Sequence, residues 1–251
     1  LKVNKYDIIH AHYLFSCIIA SIAGAKPLVV SLMGSDTATL LHVILIHIFK
    51  NLYGWDSIIV KSDRMARRLK IGSINIIPNG VNTSLFKQLD SKYCRKLISW
   101  DVNSINILFP ADPKRREKNF TLAVNSISRI ENHRINLHCL NNISNEEVPL
   151  YINASNLLLL TSNREGSPNV IKEAMACNCQ IVSTDVGDVK WIIGDTKGCY
   201  ISTFEPDDVA KQIKSALEFN RRTNGIDRII KLRLDSQSIA TRLISVYKEV
   251  I

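Results

Sequence analysis

Two carboxylates, Glu165 and Glu173, stand with seven residues between them, around the turn Gly166-Ser167-Pro168-Asn169. Ahead of them the run Leu157 to Leu160 reads as a fully buried strand. Behind the turn, Val170, Ile171, Ala174 and Met175 repeat at helical spacing. Ser167 is a suitable N-cap and Pro168 suits the first helical position. A strand, a glycine turn and a helix start make a seat for an anion, because the first backbone N–H groups of a helix point outward. Glu173 lies about 7 Å along that helix from Pro168, at ~1.5 Å per residue. One end of this stretch suits phosphate and its sides offer acceptors for hydroxyls, a combination that fits a nucleotide-sugar. The plainer account, two solvated surface carboxylates, is weakened by strand, turn, cap and acids occurring together.

The elements that must position this stretch alternate. Strands are predicted at 7–12, 27–32, 56–60 and 74–77, with helices at 13–25, 37–53 and 62–69, the last opened by Ser62-Asp63. The first strand ends in two histidines, His10 and His12. From Val81 to Asn103 the periodicity fails and charges cluster. A second alternation follows: strands at 105–109, 135–140, 157–160, 180–184 and 199–201, and helices at 120–130, 146–153, 168–177 and 207–219. A terminal helix is expected over 236–251. Between the first strand and helix of this half lies a strongly basic loop, Pro113 to Asn119. The pattern predicts an α/β protein with parallel, helix-covered sheets. Its domains are expected at 1–88 and 89–235, with 236–251 packing back toward the first.

The 251 residues suffice for one large or two small domains. A net charge of +9 and a pI near 9.3 suit an anionic partner: nucleotide diphosphate, nucleic acid or anionic lipid. The basic segments lack interleaved aromatics and any recognition motif, so nucleic acid is not the expected partner. The six cysteines form no CxxC pair and read as free thiols of a reducing compartment, which places the protein in the cytoplasm. No metal motif is visible and no cofactor is expected. The longest apolar run, Ala38 to Phe49, contains His42 and His47 and is too short to span a bilayer. The basic, apolar stretch Leu40 to Lys70 is a candidate face for an anionic membrane surface, with an amphipathic core helix as the competing account.

The run from Glu165 to Cys177, followed by Ile181-Val182-Ser183-Thr184-Asp185-Val186-Gly187, resembles the signature of retaining glycosyltransferases of family 4. Asp7-Ile8-Ile9-His10-Ala11-His12 is similar to that family's Asp-x-x-His-x-His strand end, and Ile77-Pro78-Asn79-Gly80-Val81-Asn82 to its interdomain segment. The resemblance covers nearly the whole chain. It implies the GT-B architecture, two Rossmann-like domains with parallel sheets facing a cleft. It implies transfer of a sugar from a nucleotide-sugar to a carbohydrate or lipid-linked acceptor, in cell-surface polysaccharide or glycolipid synthesis at the inner face of the cell membrane.

Residue by residue, the resemblance implies that Glu173 binds the ribose hydroxyls and Glu165 the donor sugar. Backbone N–H groups of Gly166, Ser167, Asn169 and Val170 would face sugar and diphosphate, and Lys118 would neutralise the leaving diphosphate. A solvated basic turn is the plainer account of that loop. Two positions depart from the family. The strand ending at Phe109 runs into Pro110-Ala111-Asp112, without the family's arginine, so Arg115 or Arg116 is the substitute. Met33 stands where many members carry a histidine, which leaves His12 as the candidate on that side. The chain also opens abruptly in its first strand, so about a hundred preceding residues are expected for two such domains and the first domain is read as truncated. These departures keep a second reading open: an inactive nucleotide-binding subunit, or a fragment of such an enzyme.

Overall fold

The computed structural model describes residues 6–131 and 134–251. The chain divides into two compact units. The first runs to Gly80 and includes 165–167 and 237–251; the second comprises 81–164 and 168–236.

The first unit holds a four-stranded parallel sheet, β1 (Ile9–His12), β2 (Leu28–Ser31), β3 (Ser57–Val60) and β4 (Asn75–Ile76), in the order 1-2-3-4. Its helices are α1 (Leu14–Ile22), α2 (Leu40–Tyr53) and α3 (Asp63–Leu69). β2 is buried at every residue, as expected for a strand covered on both faces. Leu14, Cys17, Leu28, Val30, Ile46, Val60 and Leu69 form its core. Ser62 precedes α3, but its side chain makes no capping bond; its Oγ is buried without a partner among the described residues. Asp63 supports the helix instead, through an ion pair with Arg67 one turn on at 2.7 Å.

α2 answers the question of the apolar stretch. It is a core helix on one side, where Ile46 is buried and Val43, Leu45 and Phe49 pack against the core. Its other side is apolar and exposed, at Leu40, Leu41, Ile44, Ile48 and Leu52. Phe15, Ile19 and Ile22 of α1 are exposed as well, and the Phe15 ring meets His42 edge-on at 5.8 Å. Among the described residues no helix is long and apolar enough to cross a membrane.

The second unit is built on a five-stranded parallel sheet, ordered β6-β5-β7-β8-β9: Ile135–Cys139, Ile105–Phe109, Leu157–Leu160, Gln180–Thr184 and Cys199–Ser202. Its helices include α5 (Phe120–Ile127), α6 (Val148–Ala154), α7 (Asn169–Ala176) and α9 (Pro206–Phe219). The sequence pattern placed β5, β7 and β8 at their observed bounds. It missed three short helices: α4 (Ser91–Leu97), α8 (Val189–Ile193) and α10 (Gly225–Lys231). α4 lies where the periodicity fails. Its signal is the cap, Asp90, whose carboxylate accepts from Tyr93 N at 2.7 Å. Arg95 then carries α4 inward, donating to the carbonyls of Ala154 and Val102 and to Asn156 Oδ1. α10 starts at a glycine for want of space: a Cβ on Gly225 would lie 2.6 Å from Met175 O. The terminal helix α11 (Ser236–Val250) belongs with the first unit from Gln237 onward.

Candidate functional site

In the second unit the parallel strands end along one edge, and β5, β7 and β8 deliver their loops there. Past β5 the basic loop makes a single 3-10 turn, Arg116–Lys118, and Asn119 follows with φ 54. Asparagine tolerates that left-handed conformation better than most residues. The loop is stitched to the end of β7. Thr161 Oγ1 donates to Lys118 O at 3.1 Å and to Asn119 O at 3.0 Å. Asn163 N donates to Glu117 O at 2.8 Å, and Asn119 Nδ2 to Asn163 Oδ1 at 3.1 Å. Thr184 Oγ1 closes the other side, donating to Ser162 O at 2.7 Å. Lys118 is therefore anchored beside the exit of β7 by its own backbone.

Arg115 and Arg116 differ in surroundings. Arg115 pairs with Glu117, Nη2 to Oε1 at 2.6 Å and Nε to Oε1 at 2.8 Å. A bond from its own backbone N–H, and then Arg115, hold Glu117 below the usual carboxylate range. Arg116 is exposed on the same turn. Arg115 thus has a carboxylate beside it, which makes Arg116 the cation better placed to serve another anion.

α7 begins one residue later than the sequence suggests. Pro168 occupies the N-cap with extended backbone, φ −69 and ψ 121, and no side chain caps the helix. Ser167 therefore does not act as N-cap. The first turn carries no acidic residue, so the positive end of the helix keeps its attraction for an external anion. Asn169 is exposed and Val170 half-buried on that turn. Ile171, Lys172, Ala174 and Met175 are buried. Glu173 is half-buried, and burial raises its carboxyl to about 7, with Lys172 opposing the shift. A carboxyl raised to about 7 by burial on a helix is uncommon in a residue that merely faces solvent.

Glu165, Gly166 and Ser167 group with the first unit. Within it, Gly166 lies against Gly34 of the 3-10 turn Gly34–Thr37. A Cβ on Gly34 would sit 2.6 Å from Gly166 N, and one on Gly166 would sit 2.8 Å from Gly34 Cα. Both approaches are backbone to backbone, so neither side can yield by turning a side chain. Gly166→Ala is expected to destabilise the first unit by about 2 kcal/mol, read from urea melts. An unchanged midpoint would mean that the approach is not constrained.

The first unit also holds the two histidines. His10 Nε2 lies 2.8 Å from Ser31 Oγ, and Nδ1 lies 2.7 Å from the Tyr247 hydroxyl on α11. Burial, His12 and Lys61 lower His10 to about 4, so it stays neutral near pH 7. His12 is exposed at the end of β1, its ring 4.2 Å from that of His10. Burial and then Lys61 lower it too. Tyr13 follows with φ 68 and ψ 144, a strained backbone for a residue with a side chain. Met33 sits in the next loop, its N–H bound to Asp36 Oδ2 at 2.7 Å.

The predicted residues thus fall into two groups. Arg115, Arg116, Lys118, Asn169, Val170 and Glu173 belong to the second unit, and Glu165, Gly166, Ser167 and His12 to the first. Thr161, Asn119 and Asn163, which hold the basic loop, were not singled out by sequence reasoning. His10 was noted at the strand end, but only His12 stood as a candidate, although their spacing of two puts both on one face of β1. All six cysteines are free thiols, four of them buried. Among the described residues no cluster of three or more His, Cys, Asp or Glu side chains is placed to hold a metal ion.

Residues 121–231 match the family described as "Glycosyl transferases group 1", and residues 1–85 match "Glycosyltransferase Family 4". No curated protein sequence matches the chain. Among solved structures, sucrose-phosphate synthase from Thermosynechococcus elongatus is similar with a TM-score of 0.82 at 18% identity, over 97% of this chain and 73% of its own. Anabaena HepE in complex with UDP and glucose gives 0.83 at 16% identity, over 97% and 78%. α,α-Trehalose 6-phosphate synthase from Burkholderia multivorans gives 0.73 at 11% identity, over 97% and 72%. At these identities the structures share the fold, that of two parallel-sheet, Rossmann-like domains. With the two family matches they support a GT-B glycosyltransferase.

Proposed function

We propose that the protein moves a sugar from a nucleoside-diphosphate-sugar to an acceptor hydroxyl with retention of anomeric configuration. The observation that carries this reading is the second unit's strand edge, where an uncapped helix start, a half-buried Glu173 and a basic loop tied to the exit of β7 occur together. Glu173 accepts from the ribose hydroxyls. The α7 N-terminus, with Asn169 and Val170, receives the diphosphate, and Glu165 accepts from the donor sugar. Gly166 and Ser167 add backbone N–H groups. As the bond between the anomeric carbon and the phosphate oxygen breaks, negative charge grows on the β-phosphate, and Lys118 with Arg116 stabilises it. Arg115 serves through Glu117, by fixing the turn. His12 is assigned to the acceptor side.

The donor to try first is UDP-glucose, since Anabaena HepE, which shares the fold, is described in complex with it. The expected result is release of UDP, or transfer to an acceptor, with activity lost in Glu165→Gln. An inactive nucleotide-binding subunit is the second reading, favoured by Met33, whose side chain offers no hydrogen-bond donor where the resembled family has histidine. Nucleotide binding with no turnover of any nucleotide-sugar would select it.

The acceptor class we propose is carbohydrate or lipid-linked, as in cell-surface polysaccharide or glycolipid synthesis. The exposed apolar side of α2, with exposed Lys26 and Arg68 in the same unit, suits contact with an anionic bilayer. Co-sedimentation with anionic vesicles is expected, reduced in Leu41→Glu/Ile44→Glu. Equal recovery of wild type and variant with vesicles would remove the membrane from the account.

A further inference from the structure

The second unit has a cavity of about 590 Å³ lined by Lys197, Arg221, Arg222, Arg228 and Lys231, with Asp195 and Asp227 as the opposing carboxylates. It lies at the start of the strands, away from the edge just described. Lys197 immediately precedes Gly198 and β9, and Arg221 O accepts from Gln180 Nε2, at the first residue of β8, at 3.0 Å. The far end of β8, Thr184, is roughly 13 Å away at ~3.3 Å per residue. The five cations come from three segments: the α8–β9 turn, the loop after α9, and α10.

Several of these charges are fixed without being neutralised. Arg228 donates to the carbonyls of Trp191 at 2.8 Å and Ile192 at 3.2 Å. Arg222 donates to Asn153 O. Carbonyl partners orient a guanidinium and leave its charge in place. The Arg221 guanidinium carbon lies over the Phe219 ring, 4.6 Å from its centroid. Planar, pre-oriented guanidiniums suit phosphate oxygens, and the two lysines add mobile point charges. The cavity's volume is in the range of small-molecule pockets. Phe219 is the one large apolar side chain in the lining, so a greasy ligand finds little to bury against.

We infer that this cavity is a second anion site, for a small molecule bearing two or more phosphate groups, separate from the proposed donor seat. The inference stands whether or not the donor reading does.

The test is a titration of the 15N-labelled full chain with inorganic tripolyphosphate, followed by backbone-amide shifts. Saturable shifts are expected at Thr196, Gly198, Thr223 and Asn224. Lys197→Glu/Lys231→Glu, at two exposed positions, should weaken that binding by roughly tenfold or more. Lys197→Gln/Lys231→Gln should weaken it less. Shifts at Asn169 to Glu173 report the donor seat and should persist in both variants. Absence of saturable shifts at 196–198 and 221–225 overturns the inference, as does equal affinity in the charge-reversed protein. Preferential, salt-sensitive binding of a single-stranded oligonucleotide at the same amides, at matched phosphate concentration, would reassign the cavity to a polymer.

Discussion

Glu173→Ala is expected to weaken nucleoside-diphosphate binding by roughly a hundredfold, and to flatten its dependence on pH. Two ribose hydroxyls donating to one carboxylate make charge-assisted bonds of ~1.5–3 kcal/mol each, so losing the pair costs about 2.7 kcal/mol after partial rehydration. The pH dependence follows from burial. Burial raises the Glu173 carboxyl to about 7. Hydroxyl donors favour the ionised form, so binding releases a proton and affinity in the wild type should rise as pH goes from 6 to 8. Folding responds with the opposite sense. A carboxyl raised from 4.5 to about 7 binds its proton more tightly in the folded state. Its contribution is fully favourable below pH 4.5 and is lost as pH rises through 7. Glu173→Gln should therefore be more stable than wild type at pH 8, by about 2 kcal/mol once screening is allowed for, with little difference at pH 4.5. His10 works against this trend. Lowered to about 4, it disfavours the folded state as pH falls from 6.5 toward 4. The two effects are separated by melting Glu173→Gln and wild type side by side at each pH.

Lys118→Ala should lower turnover by 10²–10³, about 3–4 kcal/mol, with a smaller change in KM, because its charge matters most when the β-phosphate becomes a leaving group. Arg115→Ala should lose much less, since Arg115 faces Glu117 at 2.6 Å. Thr161→Val is the informative control. It keeps the ammonium and removes the hydroxyl that holds the carbonyls of Lys118 and Asn119. Lys118 then loses its fixed approach, and an intermediate loss in turnover is expected. Steady-state kinetics at saturating donor check all three. Full activity in Lys118→Ala would take the lysine out of the mechanism.

The fold was most legible where one physical signal dominates. β7 is a run of four leucines, and β5 and β8 are five-residue strands built around Ile107-Leu108 and Ile181-Val182, all buried nearly throughout on both faces. α4, α8 and α10 have only 5–7 residues, under two turns, too few for a helical period to emerge from a charged background. α7 was recognised, but its start was displaced because Ser167 has a capping side chain and Pro168 does not. Local chemistry cannot reveal that Glu165 to Ser167 belong with the first unit, where Gly34 and Gly166 meet backbone to backbone. The basic loop was visible as charge, whereas its anchoring by Thr161 and Asn163 spans more than forty residues and appears only with the sheet in hand. The two histidines show the same division. The pattern pointed at the exposed His12, and the long-range contact of His10 with Tyr247 was beyond it.

The segment from Thr161 to Glu173, with the loop Arg115 to Lys118, is the proposed seat of a nucleoside-diphosphate-sugar. Hydrogen–deuterium exchange of the full chain with and without UDP-glucose tests it most directly, because it does not depend on turnover. Slowed exchange is predicted for the amides of Asn169 to Glu173 and of Arg116 to Asn119, and the effect should vanish in Glu173→Ala. Unchanged exchange across both segments with UDP-glucose and with other nucleoside-diphosphate-sugars would contradict the account.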